Sequence, residues 1–249
     1  MVWEREIAID GTRFSVTISD EFEALRSAFA EGRAVVGLWN RNDTNQCLSP
    51  ASYLVESIED ITPEFLERVV RRKEGLPFQI AKTNRLLIRE FVQEDASGRS
   101  LEPDEGSDGN LFYNKEALKT YIENQYKFYE YGIWAITDLR DGTLLGKAGL
   151  SNLVVPKEDA FYPYIEKNDT PIELGYHIFT PYRCRGYATE ACQAILEYGA
   201  TYLTDKIYAR VLEENRPSIR LLERLGFIRI GQTHSKLTLT QCLYEWNYS

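Results

Sequence analysis

The sequence predicts an α/β (α+β) protein made of two successive α/β layers. Three observations support this prediction. Strand-like and helix-like runs alternate along the whole chain. Hydrophobic residues make up 43% and aromatic residues 12% of the 249 residues, as in folded globular proteins, and this length can bury one large core or two smaller ones. The stretch GLPF (75–78) marks a boundary between the two layers.

The sequence of the first layer, residues 1–76, predicts that it forms a small Rossmann-like accessory domain. The strand FSVTI (14–18) precedes the helix SDEFEALRSAFAEG (19–32), and the buried strand AVVGLW (34–39) follows. A short strand, ASYLVES, then leads to a helix that has Pro63 in its first turn and Gly75 after its end. This βαβ-β-α order is typical of a partial Rossmann-like layer.

A possible enzyme signature opens this layer. The segment IAIDGT (7–12) resembles the DxDGT signature of haloacid-dehalogenase-type phosphatases, but Ala8 stands where that chemistry requires a nucleophilic aspartate. The alternative interpretation is an Asp-Gly turn that joins IAI to FSVTI. We predict the turn, and therefore a non-catalytic domain. No GxGxxG or P-loop motif supports a nucleotide site here.

The sequence of the second layer, residues 80–249, predicts a longer series of strands and helices. The patterns alternate between periods of two and 3.6 residues, with a hairpin at Asp141-Gly142 and loops at 93–110 and 155–171. The residues of one predicted helix that share a buried side are Leu118, Ile122, Tyr126 (or Gln125) and Tyr129. The predicted elements are NRLLIREF, KEALKTYIENQYKFYEYG, IWAITDLRDGTLLGKAGLSNL, ELGYHIF, ACQAILEYGATYL, DKIYARVL, RPSIRLLERLG, FIRIGQ and QCLYEWNY.

Composition excludes several classes of function. The net charge of -9 and the pI near 5.0 argue against nucleic-acid binding, which needs a basic face. The sequence has no secretory signal and no run of 18 apolar residues, so we expect a cytoplasmic protein that is not in a membrane. We expect reduced thiols, with no metal site and no disulfide framework, because the four cysteines form no CxxC pair: Cys47, Cys184, Cys192 and Cys242.

The stretch PYRCRGYATE (181–190) lies where a predicted strand meets a predicted helix. It allows three interpretations: a turn with a solvated charge cluster, a phosphate-binding loop, or a basic contact for nucleic acid. A helix N-terminus has unpaired amides and a partial positive charge, and Gly186 lets the backbone approach a phosphate closely. Two arginines within an acidic protein fit a small anionic ligand better than a nucleic acid.

Two motifs together resemble the GNAT superfamily of acetyl-coenzyme A-dependent N-acetyltransferases. The loop R-x-x-G-x-A at 183–188 resembles the pyrophosphate loop of that superfamily. The segment ENRPSIRLLERLGF resembles its second motif, at Asn215, Ser218 and Gly226-Phe227. Within the superfamily, ELGYHIFTPYRCRGYATEA is most similar to the branch with ribosomal-protein alanine N-acetyltransferases. The resemblance covers about two-thirds of the chain, and it implies a mixed, mostly antiparallel central sheet flanked by helices.

The resemblance also implies which residues bind acetyl-CoA. The loop amides would hold the pyrophosphate, the backbone of the preceding strand would pair with the pantetheine arm, and two residues of the second motif would contact the pantetheine end. Capping of the helix is an additional interpretation of Asn215. The implied coenzyme-binding residues are Ile178, Phe179, Thr180, Arg183, Cys184, Arg185, Gly186, Tyr187, Ala188, Thr189, Asn215 and Ser218.

The catalytic residues are less well defined by the resemblance. Glu173 opens the strand before the loop, and we expect it to accept the proton of the amine; the competing interpretation is a carboxylate paired with a lysine or arginine. His177 is expected to be a structural histidine. Many superfamily members place a tyrosine seven residues after the motif asparagine, where it protonates the thiolate. That position is Leu222 here, so no general acid is implied.

The resemblance implies direct transfer of an acetyl group to a primary amine of a small molecule, a peptide or a protein N-terminus. The alternative functions are a non-catalytic acyl-coenzyme A sensor, which Leu222 favours, and an interaction protein. The segments 95–114 and 152–172 are expected to form the walls of the acceptor pocket, but neither identifies the amine. The sequence leaves open whether the chain forms a homodimer.

Overall fold

The protein forms two compact units, Met1–Phe78 and Gln79–Ser249, each with its own hydrophobic core. Its structure is a computed structural model that describes residues 1–96, 111–165, 170–233 and 239–248. Most of the predicted loop 93–110 and part of the predicted loop 155–171 lie outside the described residues. No helix among the described residues has the length and apolar character needed to cross a membrane.

The first unit contains a four-stranded sheet in the order β1-β2-β3-β4. Strands β2, β3 and β4 are parallel, and β1 pairs with β2 as an antiparallel hairpin. The sequence predicts the parallel part and the helices but not the full length of β1, because the side chains of β1 are mostly exposed. The elements are β1 (Val2–Ile9), β2 (Thr12–Ser19), α1 (Phe22–Ala30), β3 (Ala34–Leu38), β4 (Tyr53–Val55) and α2 (Pro63–Glu74).

The helix α2 shows how local sequence sets the bounds of an element. Thr62 is its N-cap, where the hydroxyl accepts a hydrogen bond from the Phe65 amide at 3.2 Å. Pro63 lies in the first turn, and the predicted stop Gly75 ends the helix in the left-handed conformation at φ 67°. The side of α2 that contains Leu66, Val69 and Val70 packs on the sheet.

The second unit contains an eight-stranded sheet in the order β11-β12-β10-β9-β8-β7-β6-β5. Within the described residues, only β9 and β10 are parallel neighbours, and the other neighbouring pairs are antiparallel. This arrangement confirms the expected mixed, mostly antiparallel sheet. The strands are β5 (Gln79–Lys82), β6 (Leu86–Arg89), β7 (Ile133–Asp138), β8 (Leu144–Asn152), β9 (Ile172–Ile178), β10 (Lys206–Leu212), β11 (Ile228–Gln232) and β12 (Gln241–Asn247).

Helices cover both faces of this sheet. One face of the sheet packs on α5 (Tyr187–Tyr202) through a large core that includes Trp134, Ala191 and Ile195. The opposite face packs on α3 (Lys115–Tyr121) around Leu118 and Ala135. Because neighbouring residues of a strand point to opposite faces, Trp134 and Ala135 belong to different cores. The last helix of the unit is α6 (Arg216–Arg224).

Two features of the second unit differ from the sequence prediction. The strand β5 was not predicted, because it has only four residues and none of them is buried. The predicted long helix is interrupted: α3 continues through π-helical residues Ile122–Tyr126 into α4 (Lys127–Tyr129). Since the π-turn changes the period of the helix, Tyr126 is buried as predicted but Tyr129 is 41% exposed.

Candidate functional site

The two parallel strands β9 and β10 pair over only two positions. Ile172 is opposite Ile207 and Glu173 is opposite Tyr208, and no further pairs between these strands occur within the described residues. The rest of β9 stays paired with β8, and the rest of β10 stays paired with β12. The facing edges of the two strands are therefore unpaired beyond Glu173, which leaves a cleft in the middle of the sheet.

The main-chain groups that face this cleft follow from the pairing on the other side of β9. The amide of Phe179 donates to the carbonyl of Leu145 on β8, over 3.0 Å. Because successive residues of a strand direct their amides to opposite sides, those of Tyr176 and Ile178 point towards β10. The carbonyl of Ile178 accepts a hydrogen bond from Arg183 Nε at 2.8 Å. The groups of β9 that face the cleft therefore include the amide and carbonyl of Tyr176 and the amide of Ile178.

The strand-to-helix loop begins where the cleft edge of β9 ends. Its first turn, Thr180–Tyr182, is a 3₁₀ helix in which the Tyr182 amide donates to the Phe179 carbonyl at 2.9 Å. Both main-chain groups of Phe179 are thus paired within the protein. This geometry therefore does not favour the expected pairing of the Phe179 backbone with the pantetheine arm.

The second half of the loop provides amide donors. Gly186, at φ 81°, is the N-cap of α5, and no side chain of the described chain caps this helix. The first hydrogen bond of the helix runs from the Glu190 amide to the Gly186 carbonyl, at 3.1 Å. The amides of Tyr187, Ala188 and Thr189 therefore have no partner within the helix, as at the N-terminus of any α-helix.

The two arginines of the loop have different surroundings. Arg185 is exposed. Arg183 is half-buried and turns back over β9, where its Nε bonds the Ile178 carbonyl and its Nη2 lies 3.4 Å from His177 Nε2. The His177 ring also lies edge-on to Phe179, with the ring centroids 5.9 Å apart. These contacts agree with the expected structural role of His177.

Cys184 has an unusual backbone conformation, with φ 60°. A side chain in this region costs about 1–2 kcal/mol, whereas glycine adopts it freely. Replacing a residue by glycine also lowers the free energy of unfolding by about 0.4–1 kcal/mol, because glycine gives the unfolded chain more conformational freedom. We therefore expect Cys184→Gly to stabilise the protein by roughly 0.5–1 kcal/mol, a rise in melting temperature of about 2 °C. Calorimetry measures this shift. Cys184→Ala keeps the Cβ atom and should leave the melting temperature unchanged; an equal rise in both variants would contradict the explanation.

Arg85 is a residue of this site that the sequence did not indicate. It precedes β6, yet its side chain contacts Glu190 in the first turn of α5, with Nε to Oε2 at 2.7 Å. Its Nη1 donates to the carbonyl of Arg185 at 3.0 Å. About 105 residues separate Arg85 from Glu190. Only the three-dimensional structure brings them together, since no short-range pattern in the sequence connects them.

Glu173 lies at the point where β9 and β10 separate. Its Oε1 accepts hydrogen bonds from the Arg210 amide at 3.1 Å and from Arg210 Nε at 2.9 Å, and its Oε2 accepts one from Nη2 at 2.7 Å. The hydrogen bond to Glu173 raises the pKa of Arg210. The Glu173 carboxylate is 16% exposed. This is the paired carboxylate that the sequence left open as the competing interpretation.

The second sequence motif forms the N-terminus of α6. Asn215 is the N-cap, and its Oδ1 accepts a hydrogen bond from the Ser218 amide at 3.2 Å, as the capping interpretation predicts. Leu222 is buried. The hydroxyl of Tyr176 on β9 lies 3.5 Å from the Ser218 carbonyl. Burial raises the pKa of Tyr176 to about 12, so this phenol is protonated at neutral pH.

The phosphatase-like segment of the first unit is a turn. Asp10 and Gly11 both have positive φ and connect Ile9 to its partner Thr12 in the β1–β2 hairpin, which confirms the predicted Asp-Gly turn. The Asp10 carboxylate bonds the buried guanidinium of Arg71 at 3.2 Å. Within the described residues, no three histidine, cysteine or acidic side chains gather into a group that could hold a metal ion.

Comparisons with known proteins identify the family of residues in the second unit. Residues 85–228 match the family described as the acetyltransferase (GNAT) domain. The uncharacterized N-acetyltransferase p20 of Bacillus licheniformis is 32% identical over 99 residues, which are 37% of this chain and 56% of that protein. The uncharacterized N-acetyltransferase YnaD of Bacillus subtilis (strain 168) is 32% identical over 163 residues, 60% of this chain and 82% of that protein.

A solved structure shows the same fold at low sequence identity. It is a ribosomal-protein-S5-alanine acetyltransferase from Vibrio fischeri, 15% identical, with a TM-score of 0.52 over 69% of this chain and 96% of that one. The family match begins at residue 85, after the first unit and the strand β5, and covers more than half of the chain. The chain therefore belongs to the GNAT acetyltransferase family.

Proposed function

We propose that this protein transfers an acetyl group from acetyl-CoA to a primary amine of a small molecule, a peptide or a protein N-terminus. One observation carries the proposal: the open edge of β9 leads directly into the N-terminus of α5, which no described side chain caps. The open strand edge suits an extended chain that contains amides, and the helix N-terminus suits a diphosphate. Coenzyme A has both parts, its pantetheine arm being joined to a diphosphate.

The contacts assign the parts of the coenzyme to different residues. The pantetheine arm would pair with the Tyr176 carbonyl and the Ile178 amide as an added strand, so that Tyr176 takes the role first expected of Phe179. The diphosphate would bind the amides of Tyr187, Ala188 and Thr189, with Arg185 adding charge. Because Gly186 has no Cβ atom, the backbone can approach the diphosphate closely.

The second motif would contact the pantetheine end of the coenzyme. The Oδ1 atom of Asn215 accepts the hydrogen bond of the cap, so the side-chain nitrogen Nδ2 is the group that can bind a ligand. The hydroxyl of Ser218 is the other polar group in this turn. Both residues therefore combine a structural role in α6 with the proposed role in binding.

The proposed reaction is direct attack in a ternary complex. The neutral amine nitrogen forms a bond to the acetyl carbon, the carbon–sulfur bond breaks so that the thiolate leaves, and the nitrogen releases a proton to water. The Tyr176 amide, which faces the cleft, polarises the acetyl oxygen. Leu222 replaces the usual tyrosine, so the thiolate leaves without a general acid, and the Tyr176 phenol, which reaches the first turn of α6, can donate a hydrogen bond to it.

The contacts of Glu173 bear on its proposed role as the base. Arg210 occupies three acceptor sites of the Glu173 carboxylate and holds this side chain in one orientation. The geometry therefore supports a positioning role, in which Glu173 and Arg210 together hold the strands at the point where the cleft begins. In a continuous parallel pair of strands, the Arg210 amide would donate to a main-chain carbonyl of β9. Here the Glu173 carboxylate takes the place of that carbonyl.

We further propose that the first unit is a non-catalytic accessory domain. The aspartate of its phosphatase-like segment forms an ion pair with Arg71, and the family match lies outside this unit. The alternative to catalysis in the second unit is an acyl-coenzyme A sensor, which the buried Leu222 favours.

Mass spectrometry of acetyl-CoA with a panel of amines, peptides and aminoglycosides tests the proposed activity. We expect one class of amine to gain an acetyl group, with release of an equal amount of free coenzyme A thiol. Saturable binding of acetyl-CoA without transfer to any amine would support the sensor instead. Absence of binding would contradict both functions.

A further inference from the structure

The first turn of α5 contains an acidic side chain close to the amides that we assign to the diphosphate. Glu190 donates its amide to Gly186 and is therefore one turn from the start of the helix. Its carboxylate is 19% exposed. An acid in the first turn stabilises a helix through the helix dipole, but it also repels an anion bound at the same N-terminus.

Two residues of the β5–β6 turn bind both oxygens of this carboxylate. The hydroxyl of Thr83 donates to Oε1 at 2.6 Å. Arg85 donates its amide to Oε1 at 3.0 Å and its Nε to Oε2 at 2.7 Å, and its Nη2 lies 2.6 Å from Oε2. Burial by itself raises the pKa of Glu190, but the hydrogen bonds from Thr83 and Arg85 lower it overall. Glu190 is therefore ionised and paired.

The same guanidinium lies against the loop itself. Its Nη1 donates to the Arg185 carbonyl at 3.0 Å, and its central carbon lies 4.7 Å from the centre of the Tyr187 ring. A Cβ atom added to Gly186 would lie 3.4 Å from Nη2. Arg85 thus contacts the loop on both sides of Gly186, at Arg185 and Tyr187, while it neutralises the acid of the first helical turn.

We propose that Arg85 is a positioning residue for coenzyme binding: it cancels the charge of Glu190 and fixes the loop 183–188, so that the α5 N-terminus can accept a diphosphate. This inference rests on the proposed function. Part of the affinity of the loop for an anion then comes from Arg85, which lies outside the loop motif. The pair acts through electrostatics, so removal of Glu190 should compensate for removal of Arg85.

A double-mutant cycle measured by calorimetry with coenzyme A tests the inference. We expect Arg85→Gln to weaken binding by about tenfold, because the Glu190 charge is then unbalanced. The double variant Arg85→Gln/Glu190→Gln should recover to within about threefold of the parent. A double variant as weak as Arg85→Gln alone would overturn the inference.

Controls separate this result from general effects of charge and folding. Arg26→Gln removes one arginine of an exposed Arg-Glu pair in the first unit and should leave the affinity unchanged. Recovery in the double variant also shows that the loss in Arg85→Gln is not a failure to fold. If the parent itself does not bind coenzyme A, the proposed function is wrong and this inference falls with it. Binding by the parent without recovery contradicts this inference alone.

Discussion

Replacement of Gly186 by aspartate should weaken the binding of acetyl-CoA by more than about tenfold. Gly186 has φ 81°, and any side chain there is strained. The new carboxylate would also stand beside the amides that we assign to the diphosphate. Since the Cβ position lies 3.4 Å from Arg85 Nη2, this carboxylate would compete with Glu190 for Arg85. Calorimetry with the parent and the variant measures the loss.

Gly32→Asp is the matched control for this experiment. Gly32 has φ 83° and no neighbouring atom within 4 Å of an added Cβ, so it imposes the same backbone strain and charge in the first unit. We expect the control to bind acetyl-CoA like the parent. Equal affinities in the Gly186→Asp variant and the parent would contradict the assignment of the loop to the coenzyme.

The second large effect is expected at the Glu173–Arg210 pair. If the pair holds the start of the cleft in place, Glu173→Gln and Arg210→Gln should each lower kcat by about 10- to 100-fold, because small displacements of reacting groups cost this much. The double variant should lose no more than either single variant, since both remove the same contact. Steady-state kinetics with the accepted amine, from pH 6 to about pH 9, would measure these effects.

The pH dependence separates positioning from general-base catalysis. A base at Glu173 would make Glu173→Gln lose about 10²- to 10⁴-fold in kcat and recover partly at high pH, where the free amine accumulates. Arg210→Gln would then keep or increase activity, because the carboxylate is released. That pattern would contradict the positioning role. A loss that is equal in both variants and constant with pH supports it.

The parts of the site that sequence reasoning anticipates are those with local causes. Gly186 at the start of a helix follows from backbone freedom within one loop, and the Asn215 cap follows from the spacing of one turn. The Asp10-Gly11 turn is equally local. In each case neighbours in the chain decide the conformation, so a short pattern is sufficient evidence.

The parts that sequence reasoning misses depend on distant contacts or weak patterns. Arg85 contacts Glu190 across more than a hundred residues, and the partner of Glu173 lies on a different strand. The pairing of Phe179 with β8 depends on strand register, which no motif encodes. The strand β5 is short and has no buried residue, so its hydrophobic pattern is too weak to predict it.

The separation of β9 and β10 has a consequence for the thermodynamics of the whole second unit. Their open edges interrupt a sheet of eight strands near its middle. A pantetheine arm bound there would supply the missing strand and stabilise only the folded state. By linkage, a ligand at about 100 times its Kd adds roughly 2.7 kcal/mol to the free energy of unfolding. The lifetime of the protein in the cell would then follow the supply of coenzyme A and its thioesters, which share the pantetheine arm, so that its abundance depends on metabolism as well as on synthesis.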